Sequence, residues 1–163
     1  MTQNVLQKIA DQTTQDIAAL PFVDVNTLKC CTCDFVAAVT GSGFGVIAEI
    51  KYKSPSAGVL IHDKMPALVA ESYVKYGVQA ISVLTDETFF GGSFDHVREV
   101  VQAVDVPVLC KAFVLDVKQI HHARQAGASA VLLIMRILSD EQYQALYAEI
   151  ERLGMTPLVE VFD

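Results

Sequence analysis

Residues 45–58 read GVIAEIKYKSPSAG: an apolar run that carries a glutamate and a lysine two positions apart, then a polar stretch broken by proline and glycine. Side chains alternate across a strand, so Glu49 and Lys51 share one face, with Ile47 below them. Four more apolar runs follow: QAISVLTD (79–86), VPVLCKAF (106–113), AVLLIM (130–135) and TPLVEVF (156–162). All are rich in Val, Ile and Leu and lack clean polar alternation, as expected of parallel strands covered on both faces.

The segments between these runs carry helix punctuation. Pro66 suits a first helical position, and the helix it opens ends at Gly77. Ser93 is placed to cap FDHVREVVQAV (94–104). Asp116 with Gln119, and Ser139 with Gln142, have the spacing of capping boxes. Gly127 and Gly154 stand where the left-handed residue after each of those two helices belongs. Five strands with four intervening helices make a βα repeat, for which a right-handed crossover is expected.

Upstream, VLQKIADQTTQDIAAL (5–20) places Leu6, Ile9, Thr13, Ile17 and Leu20 along one helical face, and Asp34 can cap a short helix, FVAAVT. We therefore expect an N-terminal helical extension over 1–44, packed outside the repeat, and strands 1 to 5 with their helices over 45–163. A loosely ordered N-terminal arm is the alternative. A closed βα barrel has eight strands and typically needs about 250 residues. The expected fold is accordingly α/β, a single (β/α)8 barrel-type domain truncated to about five parallel strands.

Composition narrows the function. Of 163 residues, 52% are apolar and 19% charged, which suits a packed core and excludes a disordered or collagen-like chain. A net charge of −7 argues against general attraction to nucleic acid or to an anionic membrane surface. No apolar run reaches membrane-spanning length and the N-terminus lacks a secretory pattern, so a cytoplasmic protein is expected. Cys30, Cys31 and Cys33 cluster, but no second cluster or nearby histidine completes a tetrahedral metal site, and reduced, partly buried thiols are the expectation. GSGFG (41–45) precedes a strand instead of joining strand to helix, which excludes a dinucleotide site.

Four charges fall near the C-terminal ends of three strands: Glu49 and Lys51 on the first, Lys111 on the third and Glu160 on the fifth. Each alone reads as a solvated residue where strand meets loop. Together they occupy the end of a βα barrel at which active sites are built. A carboxylate and an ammonium in a partly dry mouth couple their protonation, so Lys111 as acid and Glu160 as base would support proton-transfer chemistry on a small molecule without a metal. Leu109 and Leu132 can line an apolar floor or simply fill the core. Phe89 and Phe90 can cover the mouth or pack on a neighbouring helix. The four histidines show no partners at catalytic spacing, and His121 and His122, inside a helix, are expected to be solvated.

The blocks IAEIKYKSPSAG, AISVLTDETFFGGS, VPVLCKAF, AGASAVLLIMRILSDEQ and LVEV, in unbroken order, resemble the indole-3-glycerol-phosphate synthase family. The resemblance implies a (β/α)8 enzyme of tryptophan biosynthesis. Such an enzyme converts 1-(2-carboxyphenylamino)-1-deoxyribulose 5-phosphate into indole-3-glycerol phosphate with loss of carbon dioxide and water, and needs no cofactor. By motif, Lys111 resembles the general acid of ring closure and Glu160 the base of the later dehydration. Lys51 resembles a substrate-contacting lysine, and Glu49 the glutamate beside it. Ser54 falls on the serine near the substrate phosphate, and Phe90, Leu109 and Leu132 fall on apolar residues around the anthranilate ring.

Two departures stand out. The family usually has Asp where Ala112 follows Lys111, and strand parity turns that position away from the lysine. The asparagine, the glutamate–serine pair and the glycine-rich phosphate loops of the family's later strands are absent from these 163 residues. Little turnover is therefore expected from this polypeptide alone. The alternative is a non-catalytic half-barrel that self-associates, or complements a second chain, through open sheet edges.

Overall fold

A computed structural model describes residues 3–31, 33–41 and 43–162. In chain order the elements are α1 (Gln3–Ala19), α2 (Phe35–Thr40), β1 (Ile47–Ile50), β2 (Lys53–Ser54), β3 (Gly58–Val59), α3 (Pro66–Lys75), β4 (Ala80–Leu84), α4 (Glu87–Phe90), α5 (Phe94–Ala103), β5 (Val108–Lys111), α6 (Val117–Ala126), β6 (Ala130–Ile134), α7 (Asp140–Arg152) and β7 (Thr156–Glu160). Short 3-10 turns add Val25–Thr27 and Met135–Ile137.

Five strands form one parallel sheet in the order β1-β4-β5-β6-β7. Its register pairs Glu49 with Ser82, Leu84 with Lys111, and Ile134 with Glu160. All five expected strands form, and the helices start and stop where their caps stand. Asp116 and Ser139 each complete a capping box with the glutamine three residues on. Gly127 takes φ 98°, and a Cβ there would also meet Val101 Cγ1 at 2.7 Å.

Period-two alternation divides the packing into two layers. On the outer side Ile81, Val83, Val108, Cys110, Val131 and Leu133 pack against the helices, with Val97, Val100, Ile120, Leu146 and Ile150 in the same cluster. On the inner side Ala80, Leu109 and Ala130, at the N-terminal ends of their strands, are plugged by Phe35 of α2. At the opposite end Leu84, Leu132 and Ile134 cluster with Phe90, Phe113 and Ile9 of α1. Ile9 is fully buried and Thr13 nearly so, which makes α1 a docked element and not a loose arm.

Three features depart from the sequence reading. KSPSAG, for which the sequence reading assigned no element, folds into a two-stranded hairpin, pairing Lys53 with Val59 and Ser54 with Gly58. The Asp-Glu-Thr-Phe-Phe loop forms the single turn α4, capped by Asp86, whose carboxylate accepts from the amides of Phe89 (2.6 Å) and Phe90 (3.3 Å). His121 and His122 are half-buried and partnered: His121 Nε2 lies 2.7 Å from Glu149, and His122 Nε2 lies 3.0 Å from the Pro21 carbonyl. The carboxylate lies on α7 and the carbonyl on the N-terminal segment, both remote in sequence, so helical position alone could not reveal them.

Candidate active site

The inner face opens at the C-terminal ends of the strands into a cavity of about 290 Å³. Five charged side chains reach it: Glu49, Lys51, Lys111, Arg136 and Glu160. Parity places three of them, since Glu49 faces inward on β1, Lys111 is the last residue of β5 and Glu160 the last of β7. Lys51 follows β1 directly and is steadied by its neighbour. Tyr52 is 3% exposed, and its carbonyl accepts from the Leu60 amide (2.8 Å) and the Ile61 amide (3.3 Å), closing the base of the hairpin.

Glu49 bridges the two lysines. Lys51 Nζ donates to its Oε1 at 2.7 Å and Lys111 Nζ to its Oε2 at 2.6 Å. Burial of the carboxyl pushes its pKa up, but the hydrogen bonds and charges of Lys111 and Lys51 together outweigh this and hold it below the usual carboxylate range. Both lysines are thereby held in place while remaining about one third exposed to the cavity. Glu160 faces the same space and, among the described residues, its carboxylate makes no hydrogen bond or ion pair.

The wall beside these charges is apolar. Phe90 stacks on Phe113 with ring centroids 5.8 Å apart, and Leu84, Leu132, Ile134 and Leu6 complete the lining. Phe90 therefore both covers the mouth and packs, against the loop after β5. Leu132 lines the cavity as well. Leu109 lies one layer deeper, 2% exposed against Phe35 and Ala130, and forms core beneath the cavity instead of its lining. Ser54 lies on the hairpin outside the lining, where its hydroxyl accepts from the Ala57 amide at 3.1 Å. Ala112 packs with the outer core cluster and also lines the cavity between Lys111 and Phe113.

The sequence reading missed Arg136 and Phe113. Arg136 continues the inward parity of Leu132 and Ile134 by two residues, a signal hidden because the strand stops at Ile134 and a 3-10 turn follows. Phe113 was inside a quoted block but lies past the last paired residue of β5. A second hollow of about 310 Å³ on the other side of Ala112 and Phe113 carries Asp16, Asp86 and Glu87 but none of the predicted site residues. Among the described residues no group of His, Cys, Asp and Glu has a metal-holding arrangement, and no helix is long and apolar enough to cross a membrane.

The indole-3-glycerol phosphate synthase of Crocosphaera subtropica is 49% identical over 130 residues, covering 78% of this chain and 44% of that relative. Its counterpart from Leptospira interrogans is 50% identical over 118 residues, covering 72% of this chain and 47% of the relative. That from Albidiferax ferrireducens is 43% identical over 171 aligned residues, covering 98% of this chain and 65% of the relative. The chain thus spans less than two thirds of the length of these relatives. A solved mandelate oxidase structure with benzaldehyde superposes with a TM-score of 0.52 at 16% identity, over 77% of this chain and 51% of the other. That likeness concerns the fold alone, an α/β barrel-type arrangement whose five-stranded sheet here stays open among the described residues. A sequence model described as indole-3-glycerol phosphate synthase matches residues 3–163, and the chain belongs to that family.

Proposed function

We propose that these residues hold the acid–base half of an indole-3-glycerol-phosphate synthase site. The reaction is conversion of 1-(2-carboxyphenylamino)-1-deoxyribulose 5-phosphate into indole-3-glycerol phosphate, carbon dioxide and water, in the cytoplasm and without a cofactor. The observation that carries the reading is the Lys51–Glu49–Lys111 bridge at the mouth of an apolar cavity.

In this reading the aryl ring lies on the wall of Phe90 and Leu132, and Leu109 supports that wall from below. Lys111, held by Glu49, donates the proton that makes the sugar carbon electrophilic for ring closure. Lys51 contacts the substrate from the same anchor. Glu160, on the opposite strand and without a partner, takes the proton released in the dehydration. Ser54, on the hairpin, approaches the phosphate. Ala112, buried next to Lys111, tunes the site without supplying a reacting group.

The test is a fluorescence assay for indole-3-glycerol phosphate, run on the 163-residue polypeptide and on its mixture with a separately expressed piece carrying the family's remaining three strands. We expect little or no turnover from the polypeptide alone, because a phosphate without its ring of backbone amides binds weakly. We expect turnover in the mixture, falling by about 100-fold or more in Lys111→Ala, the range of a lost general acid. A rate from the lone polypeptide matching a complete family enzyme would overturn the first expectation, and an unchanged rate in Lys111→Ala the second.

A second reading, a non-catalytic half-barrel that pairs with another chain, draws on one observation. Within the described sheet, β1 and β7 are each hydrogen-bonded on one side only.

A further inference from the structure

Cys30, Cys31 and Cys33 lie on the segment between α1 and α2, at the N-terminal ends of the strands and so at the end of the sheet opposite the cavity. The segment is pinned there. The Cys31 amide donates to the Leu153 carbonyl at 3.2 Å, just ahead of β7, and the Asp34 carboxylate caps α2 by accepting from the Ala37 amide at 2.9 Å. The packing is close enough that a Cβ on Gly154 would stand 3.1 Å from both the nitrogen and the oxygen of Cys31.

The three thiols differ in what they face. Cys31 is half-buried, and its Sγ donates to the Cys33 carbonyl at 3.6 Å. Cys33 is exposed. Cys30, also exposed, sits against the end of α7, with its Cβ beside Gly154 and Arg152 near enough for their charges to interact. Chain geometry then selects one pair. A trans peptide bond holds the Cα atoms of Cys30 and Cys31 about 3.8 Å apart, short of the roughly 4.4 Å that a disulfide needs. Residues two apart stand at most about 7 Å apart, so a slight bend brings Cys31 and Cys33 within bridging range.

We propose that Cys31 and Cys33 form a redox-sensitive dithiol site, reduced in this structure and closed into an intrachain disulfide by a peroxide. The exposed Cys33 sulfur attacks a peroxide oxygen, the O–O bond breaks, and a sulfenic acid and one water form. Cys31 Sγ then displaces the sulfenic oxygen, making the S–S bond and releasing a second water. The two thiols give up two electrons and two protons, and hydrogen peroxide takes up both as it becomes two waters. A dithiol reductant reverses the step by thiol–disulfide exchange. The bridge braces the start of α2, whose Phe35 plugs the inner layer, against the Leu153 anchor. This site stands apart from the cavity and from the activity proposed for it.

The test adds hydrogen peroxide in small molar excess to the reduced 163-residue polypeptide and reads the product by intact-mass spectrometry. The expected result is a loss of two hydrogens, regained with dithiothreitol. Cys30→Ser loses the same two hydrogens. Cys31→Ser and Cys33→Ser keep theirs, and Cys31→Ser instead holds a sulfenic acid that dimedone traps. Circular dichroism checks the fold of each variant, and if Cys31→Ser unfolds, Cys30→Ser and Cys33→Ser decide. A wild type that keeps its hydrogens, or ends as a sulfinic acid or a disulfide-linked dimer, overturns the proposal. So does abolition of the loss in Cys30→Ser, or its persistence in a folded Cys31→Ser or Cys33→Ser.

Discussion

Glu49 is the residue on which the site turns, because one carboxylate fixes two ammonium groups, one just past β1 and one at the end of β5. Its lowered pKa gives a signed expectation. The bridge contributes to stability above the ordinary carboxylate pKa, about 4.3, and loses that contribution as pH falls through the lower folded-state value. Carbon-13 NMR of Glu49 should therefore titrate below the ordinary value in the wild type and shift upward in Lys111→Met. The side chain is about 30% exposed, so the stability difference between wild type and Glu49→Gln is expected to be modest, and it should shrink on acidification. A Glu49 midpoint unmoved by Lys111→Met would mean that the bridge does not persist in solution. At Cys110 full burial raises the thiol pKa to about 12, so the reactive thiolate is scarce at neutral pH. Under a thiol-specific reagent, the exposed Cys30 and Cys33 should label rapidly and Cys110 only with global unfolding. Early labelling of Cys110 would contradict the packing of the outer core.

Among the elements, α1 and the β2–β3 hairpin bear most on the site. Ile9 gives α1 a fully buried foothold in the cluster that forms the cavity wall. Ile9→Ala should cost about 2–5 kcal/mol in urea unfolding, the range for a truncated core aliphatic. A cost near zero would return α1 to the status of a loose arm. The hairpin is tied to α4 by Lys53 Nζ donating to the Thr88 carbonyl at 2.6 Å, which links the loop that follows Lys51 to the turn that presents Phe90. Both missed elements are too short to display a period: two paired residues on each side of a turn, and a single helical turn. The longer elements were legible because their apolar spacing and caps repeat over ten or more residues, as in α6 with Asp116 and Gly127 at its ends.

For the whole molecule, the open sheet has a physical consequence. Val46 just before β1, Ile47 at its start, and Val161 and Phe162 beyond β7 are 41%, 37%, 70% and 57% exposed. Apolar side chains at unpaired strand edges favour pairing with another sheet. Sedimentation velocity across the micromolar to millimolar range should show concentration-dependent self-association, and a monomer throughout would remove the pairing reading.

The division between what sequence and tertiary structure each decided follows from range. Alternation along a strand is local, so the inward direction of Glu49, Lys111 and Glu160 and the βα order were all determined by the sequence itself. Contacts between segments far apart in the chain were not. Lys111 meets Glu49 across 62 positions. His121 finds Glu149 across 28 positions, and His122 reaches Pro21 across 101. The depth of Leu109, the displacement of Ser54 onto a hairpin and the exposure of Arg136 to the cavity belong to the same class. Each depends on how much of the inner face α1, α2 and the loops cover, and that coverage is a property of the packed sheet and helices, not of any one stretch of residues.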